Sequence, residues 1–233
     1  MARLTVCTWF WGNKYGVEYV HRLARGLRRH IAEPYRFIVV TDDVNGKGVE
    51  AIVNQPADAA WPIEDQELLK VQGCFARLRM FDPKWQMRHG ITGRLVCIDL
   101  DAIITGELGS LFLRPEPFLI LQGANASNPC PYNGSVWMLR AGYRPDVWDD
   151  FSLEAAAKVP FYAFPDDQAW MAHKLPGENG WQAGERSGVY AFKKPGWPKG
   201  DDLPKGARIV CFPGKRDPSQ FTHLQWVKDH WLA

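Results

Sequence analysis

The sequence predicts an α/β fold, a mostly parallel sheet flanked by helices within a single domain. Two observations carry that expectation. Apolar runs suited to strands covered on both faces alternate with segments of helical periodicity, which is the order of a wound parallel sheet. A chain of 233 residues with 46% hydrophobic content is also long enough to bury one full core.

The elements follow in order. "RLTVCTWFW" reads as a first strand. "VEYVHRLARGLRRHIA" reads as a helix, because Val17, Val20, Leu23, Ala24, Leu27 and Ile31 recur at helical spacing. Arg22, Arg25, Arg28 and Arg29 fall largely on its other face, as a solvated surface or a cationic patch. Pro34 stops that helix, and "YRFIVVTDD" is a second strand. "GVEAIVNQP" suggests a short strand and turn, "ELLKVQGCFARLRMFD" a second helix, and "GRLVCIDLD" a third apolar strand. Further strands are expected in "LFLRPEPFLILQG", "NGSVWMLRAG", "GVYAF" and "ARIVCF", and further helices in "GELGSLFL", "DVWDDFSLEAAAKV" and "DDQAWMAHKL". The Pro-, Gly- and Lys-rich stretch from Lys193 to Gly206 reads as a long surface loop.

Charge and composition exclude several classes. A net charge of +2 from 28 basic and 26 acidic residues cannot generate the field of a dedicated nucleic-acid binder. No apolar stretch approaches the roughly 18 to 20 residues that span a bilayer, and "MARLTVCTWFWGN" lacks a signal peptide's cleavage pattern, so the expectation is a cytoplasmic protein. Cys7, Cys74, Cys97, Cys130 and Cys211 are widely spaced, without the C-x-x-C signature of zinc or redox sites. The first four read as small apolar packing residues. The eleven tryptophans offer platforms for sugar rings or bases, but most are expected in the core.

Asp99 and Asp101 stand where the third long strand ends. In open α/β sheets ligands bind outside the carboxyl ends of strands. Side chains two apart on an extended segment point the same way, so both carboxylates can reach one cation. Hard oxygens suit Mg²⁺ or Mn²⁺, and two carboxylates leave positions for water and substrate phosphates. With 16 aspartates in the chain, one D-x-D is about what chance yields, and capping of the following turn explains it equally well.

The surrounding motifs add specificity. "CFARLRMF" followed by "RLVCIDLDAIITGELGSLF" resembles the heart of the GT-A-fold nucleotide-sugar glycosyltransferases, family 8 above all, the group of glycogenin and bacterial galactosyltransferases. Arg77, Asp99, Asp101, Leu111 and Phe112 fill that pattern. "YNGSVWML" is similar to the family's sugar-pocket motif and implies sugar-binding Asn133, Gly134 and Ser135. "PDDQAWM" is similar to its D-Q motif and implies catalytic Asp167 and Gln168, with Asp166 reading as a helix cap. The order and spacing agree from about Lys70 to Met171. Near the amino terminus, Thr8 and Tyr15 are looser matches to the nucleotide-binding loop. The closing "CFPGKRDPS" departs: Cys211 stands where the metal-binding histidine is expected and Asp217 where the lysine is, leaving Lys215 and Arg216 as substitute charges.

The resemblance implies a transferase for a hexose carried on a nucleotide diphosphate, UDP-hexose first, with an unidentified acceptor and retained anomeric configuration. Mn²⁺ or Mg²⁺ would be held by Asp99 and Asp101, and the diphosphate by Arg77, Asp99 and Lys215. Residues 1–113 would form the nucleotide half and 114–233 the sugar and acceptor half. Arg77 as a helix-surface arginine and Lys215 as an ordinary loop residue are the plain alternatives. Two other functions compete. "CIDLDAII" suits a haloacid-dehalogenase-type phosphatase with Asp99 as nucleophile and Asp101 as general acid. A nucleotide- or carbohydrate-binding protein of the same fold without catalysis would account for Cys211 and Asp217.

Overall fold

The computed structural model describes residues 4–44, 57–124, 129–161 and 165–233. Strands β1 (Leu4–Phe10), β2 (Tyr35–Thr41), β3 (Ala59–Pro62), β4 (Arg94–Ile98), β6 (Phe118–Gln122), β7 (Tyr132–Arg140) and β8 (Gly180–Gln182) form a seven-stranded sheet in the order β3-β2-β1-β4-β7-β6-β8. Only β7 runs antiparallel to its neighbours. Strands β5 (Ile103–Ile104), β10 (Ile209–Cys211) and β9 (Val189–Ala191) form a second, three-stranded sheet. Residues from both 1–113 and 114–233 contribute to each sheet.

The central strands are buried on both faces, so their residues alternate between two cores. Val96 and Ile98 of β4 and Val136 and Met138 of β7 face the core that holds helix Val17–His30. Leu95, Cys97, Trp137 and Leu139 face the core built from Phe75–Phe81, Pro83–Arg88 and Asp167–Lys174. Seven of the tryptophans are buried, while Trp9 and Trp11 both reach the cavity described below. Cys7, Cys97, Cys130 and Cys211 are the buried cysteines; Cys74, expected among them, is exposed, and Cys211 takes its place inside.

Helix Val17–His30 packs closely on β5. A Cβ on Gly26 would lie 2.9 Å from Cβ of Ile104, so only glycine permits this approach. Its arginine face is exposed at Arg28 and Arg29 and half-buried at Arg22 and Arg25, where it meets the last turns of the chain. Arg25 donates to the carbonyl of Ala233, Arg29 to those of Asp229 and His230, and the Arg22 guanidinium lies 3.9 Å over the Trp231 ring. The terminal turns present carbonyls that lack helical partners, and these arginines satisfy them.

Two expected helices are broken. "ELLKVQGCFARLRMFD" folds as two 3-10 segments, Gln66–Leu69 and Phe75–Phe81, because Gly73 (φ +127°) and Cys74 (φ +57°) leave the helical region between them. The Gly73 carbonyl instead accepts from the amide of Asp167 at 2.8 Å. "DVWDDFSLEAAAKV" splits into Asp146–Asp149 and Leu153–Ala156, with the Ser152 side chain capping the second. The break turns Phe151 onto Phe75, Trp148 and Trp170. The strand expected in "GVEAIVNQP" lies outside the described residues. Among the described residues no helix is long and apolar enough to cross a membrane.

Candidate active site

Parallel pairing brings the carboxyl ends of β1, β2 and β4 to one edge, and antiparallel β7 begins at that same edge. Ile98 pairs with Val136, so the chain leaving β4 runs directly beside Asn133–Ser135, with the Asp99 amide donating to the Ser135 carbonyl at 2.9 Å. Asp99 through Asp101 forms a turn, closed by Ala102 N–H to the Asp99 carbonyl, rather than an extended segment. Both carboxylates nonetheless face one cavity.

That cavity has a volume of about 610 Å³. It gathers Tyr15, Arg77, Asp99, Asp101, Asn133, Gly134, Ser135, Asp167 and Gln168, all singled out in the sequence from five separate stretches. A neighbouring hollow of about 450 Å³ is lined by Phe10, Gly12, Asn13 and Thr41–Asp43.

Arg77 is the centre of the site. It is only 6% exposed, so its charge needs compensation within the protein. Its guanidinium donates to Asp99 Oδ1 at 2.5 Å, to Asp167 Oδ2 at 2.7 Å and to the Gly134 carbonyl at 3.1 Å. Against the cost of burial, Asp167 and Asp99 hold it well above its ordinary pKa. Gly134 is required here, because a Cβ would lie 2.8 Å from an Arg77 nitrogen. Arg77 is therefore not the helix-surface arginine of the plain alternative.

Asp167 is 2% exposed and is bonded to Arg77 and to the Gln168 amide. Burial raises its carboxyl to about 7 against the pull of Arg77. Gln168 Oε1 accepts from the Gly134 amide at 2.9 Å and so fixes the start of β7. Asp166 caps helix Asp167–Lys174, accepting from Ala169 N–H at 2.8 Å, as the sequence suggested.

Asp101 has a different partner. The Tyr15 hydroxyl donates to its Oδ2 at 2.6 Å, and Lys14 Nζ lies 4.0 Å from the same oxygen. Burial, then the charge of Asp99, raises the Asp101 carboxyl to about 7. A divalent cation fits this donor set only in part. Asp99 Oδ2 and Asp101 Oδ1 are hard oxygens without a hydrogen bond among the described residues. No group of three His, Cys, Asp or Glu there is arranged to hold a metal. Cys211, at the expected histidine position, is fully buried behind Ser135, and burial pushes its thiol well above the ordinary range.

Replacing Tyr15 by phenylalanine frees Asp101 from its internal donor. Mn²⁺ binding to the nucleotide-free Tyr15→Phe protein, followed by calorimetry, should be tighter than wild type by about tenfold, the lower end of what a hydrogen bond to a charged group contributes. Equal affinities would mean that Tyr15 does not compete for Asp101.

Three expected residues, Thr8, Lys215 and Arg216, do not line the cavity. Thr8 is fully buried, and its hydroxyl donates to the Ile98 carbonyl at 2.8 Å, joining β1 to β4. Lys215 is exposed, one residue beyond the cavity-lining Gly214. Asp217 accepts from the Tyr19 hydroxyl at 2.7 Å and caps Pro218–Phe221, anchoring the closing loop on helix Val17–His30. Sequence reasoning missed Lys14 and Lys194, both in the cavity wall. The available signal was position: each lies just past the end of a strand, the first beyond β1 and the second beyond β9.

No protein-family model matches the sequence, and no curated protein matches it by sequence. Solved structures do share the fold. The apo-form glycosyltransferase GlyE of Streptococcus pneumoniae TIGR4 superposes with a TM-score of 0.62 at 14% identity, over 96% of this chain and 61% of that one. A second structure of GlyE gives 0.65 at 12% identity, over 96% and 62%. This chain thus shares its fold with GlyE, and it spans a little under two thirds of the length of that protein.

Proposed function

We propose that this chain is a glycosyltransferase that moves a hexose from a nucleotide diphosphate sugar, UDP-hexose first, to an acceptor. The observation that carries the reading is convergence. Four stretches separate in sequence, around Arg77, Asp99–Asp101, Asn133–Ser135 and Asp167–Gln168, meet at one cavity, with Arg77 bonded to the other three. The phosphatase alternative has no comparable support: Asp99, its required nucleophile, is held by a buried arginine.

In this reading Arg77 holds Asp99 and Asp167 in place, and Gln168 fixes Gly134, so the wall that meets the sugar is rigid before the donor arrives. Such preorganisation lowers the cost of stabilising charge as it develops on the departing diphosphate. Asn133 and Ser135 offer polar groups to the sugar hydroxyls. Four carboxylates, Asp99, Asp101, Asp166 and Asp167, face three cations, Lys14, Arg77 and Lys194, in the cavity wall. An anionic donor therefore adds charge to a site with no surplus of cations. A Mn²⁺ or Mg²⁺ ion on Asp99 and Asp101, when bound, would offset that charge.

A thermal-shift panel of nucleotides and nucleotide sugars tests the reading. A ligand bound only by the folded state stabilises it by about 2.7 kcal/mol at a hundredfold excess over Kd. UDP and a UDP-hexose should raise Tm, and more so with Mn²⁺, while other bases do little. No shift with any nucleotide would overturn the reading. Binding without hydrolysis or transfer of any UDP-hexose would favour the non-catalytic protein.

A further inference from the structure

Lys194 differs from every other cation around the cavity. Arg77 is shared between two carboxylates and Lys14 leans on Asp101, but Lys194 is half-buried in the wall with no ion pair among the described residues. Its neighbour Lys193 behaves in the opposite way: with φ at +53°, it turns out and pairs with Asp201 at 2.6 Å.

The strand register fixes where Lys194 stands. Ala191 of β9 pairs with Cys211 of β10 in parallel, and Val210 of β10 pairs with Ile103 of β5 in antiparallel. The chain beyond β9 therefore runs alongside Phe212–Gly214, and the chain before β5, which is Asp101, meets that same loop from the other side. Lys194 and Asp101 flank the closing loop at one cavity. The turn that carries Lys194 is held: its amide donates to the Ala191 carbonyl at 3.1 Å, its carbonyl accepts from Trp197 at 2.9 Å, and the Trp197 ring packs edge-on against Phe192 at 4.8 Å. Among the described residues no carboxylate pairs directly with Lys194, so its ammonium is available to an anionic group of a ligand in the cavity.

We infer that Lys194 binds the diphosphate of the donor, from the strand end beside the closing loop rather than from within it. The inference rests on the nucleotide-sugar reading for the identity of the donor, but the anion site itself does not. Asp217 and Lys215 leave that task open: the first is a cap and the second lies outside the cavity wall.

Titration calorimetry of the full chain with UDP, inorganic pyrophosphate and uridine, each with EDTA and then with Mn²⁺, tests this. Lys194→Met should weaken UDP and pyrophosphate by about tenfold or more, the worth of a charged hydrogen bond, and leave uridine unchanged. Lys194→Arg should keep most of the affinity. Unchanged UDP and pyrophosphate affinity in Lys194→Met overturns the inference while the nucleotide reading stands. Wild type that binds pyrophosphate but not UDP removes the nucleotide reading, and the pyrophosphate comparison still decides Lys194. Wild type that binds neither anion overturns both.

Discussion

Arg77→Met should lower the stability of the protein by about 3–5 kcal/mol, the usual cost of removing one partner from a buried ion pair. Methionine fills much of the same volume, so the loss is electrostatic rather than a cavity. Asp167 would remain 2% exposed without its cation, and Asp99 and Gly134 would each lose a donor. The sign of the pH dependence follows. A carboxyl with a raised pKa in the folded state binds more protons there than in the unfolded chain, so stability falls as pH rises through that range. Burial already raises Asp167 to about 7, and without Arg77 only the Gln168 amide would oppose that rise. The variant should therefore regain stability between pH 8 and pH 5, in the absence of metal, more than wild type does. Urea unfolding at both pH values measures this. A loss below about 1 kcal/mol with no pH dependence would show that Arg77 is not the counter-ion of Asp167.

Much of this centre was legible in the sequence, and the reason differs from residue to residue. The apolar runs of β1, β2, β4, β6 and β7 announce strands because double-sided burial demands them. Asp99 and Asp101 were legible because they sit at a strand end, where side chains reach a shared edge, whereas Asn133 and Gln168 were marked by the resemblance of their motifs alone. Asp167 was marked by the same kind of resemblance, but nothing local reveals that it would be enclosed against Arg77, ninety residues away. The break at Gly73 and Cys74 escaped for a related reason. The apolar spacing there is helical, but a long-range bond from Asp167 to the Gly73 carbonyl overrides it. Strands β3, β5 and β8 are too short to carry a periodic pattern, so their pairing is set by the sheets they join. Lys194 was hidden in a stretch whose composition reads as a loop. Only the β9–β10 register brings it to the cavity.

The Asp99→Asn and Asp101→Asn variants should bind UDP without any enhancement by Mn²⁺. Each carboxylate keeps one oxygen free of hydrogen bonds among the described residues, and no third ligand stands beside them there. The protein alone should then hold Mn²⁺ weakly, with the diphosphate supplying much of the remaining coordination. Metal and nucleotide must raise each other's affinity by the same factor, expected within the usual range of about 5- to 150-fold. Removing either charge should bring that factor close to one. The fold should survive. Asparagine retains an oxygen for the Tyr15 hydroxyl at position 101, and there it also removes a charge that burial and Asp99 oppose, so Asp101→Asn should be at least as stable as wild type at pH 8 without metal. Calorimetry of Mn²⁺ with and without saturating UDP, on wild type and both variants, gives all the affinities. Two results would refute the metal assignment: tight Mn²⁺ binding by nucleotide-free wild type, or variants that keep the wild-type coupling. If only Asp99→Asn loses the coupling, Asp101 serves Tyr15 and Lys14 rather than the metal, and the cation is held on one carboxylate beside the nucleotide.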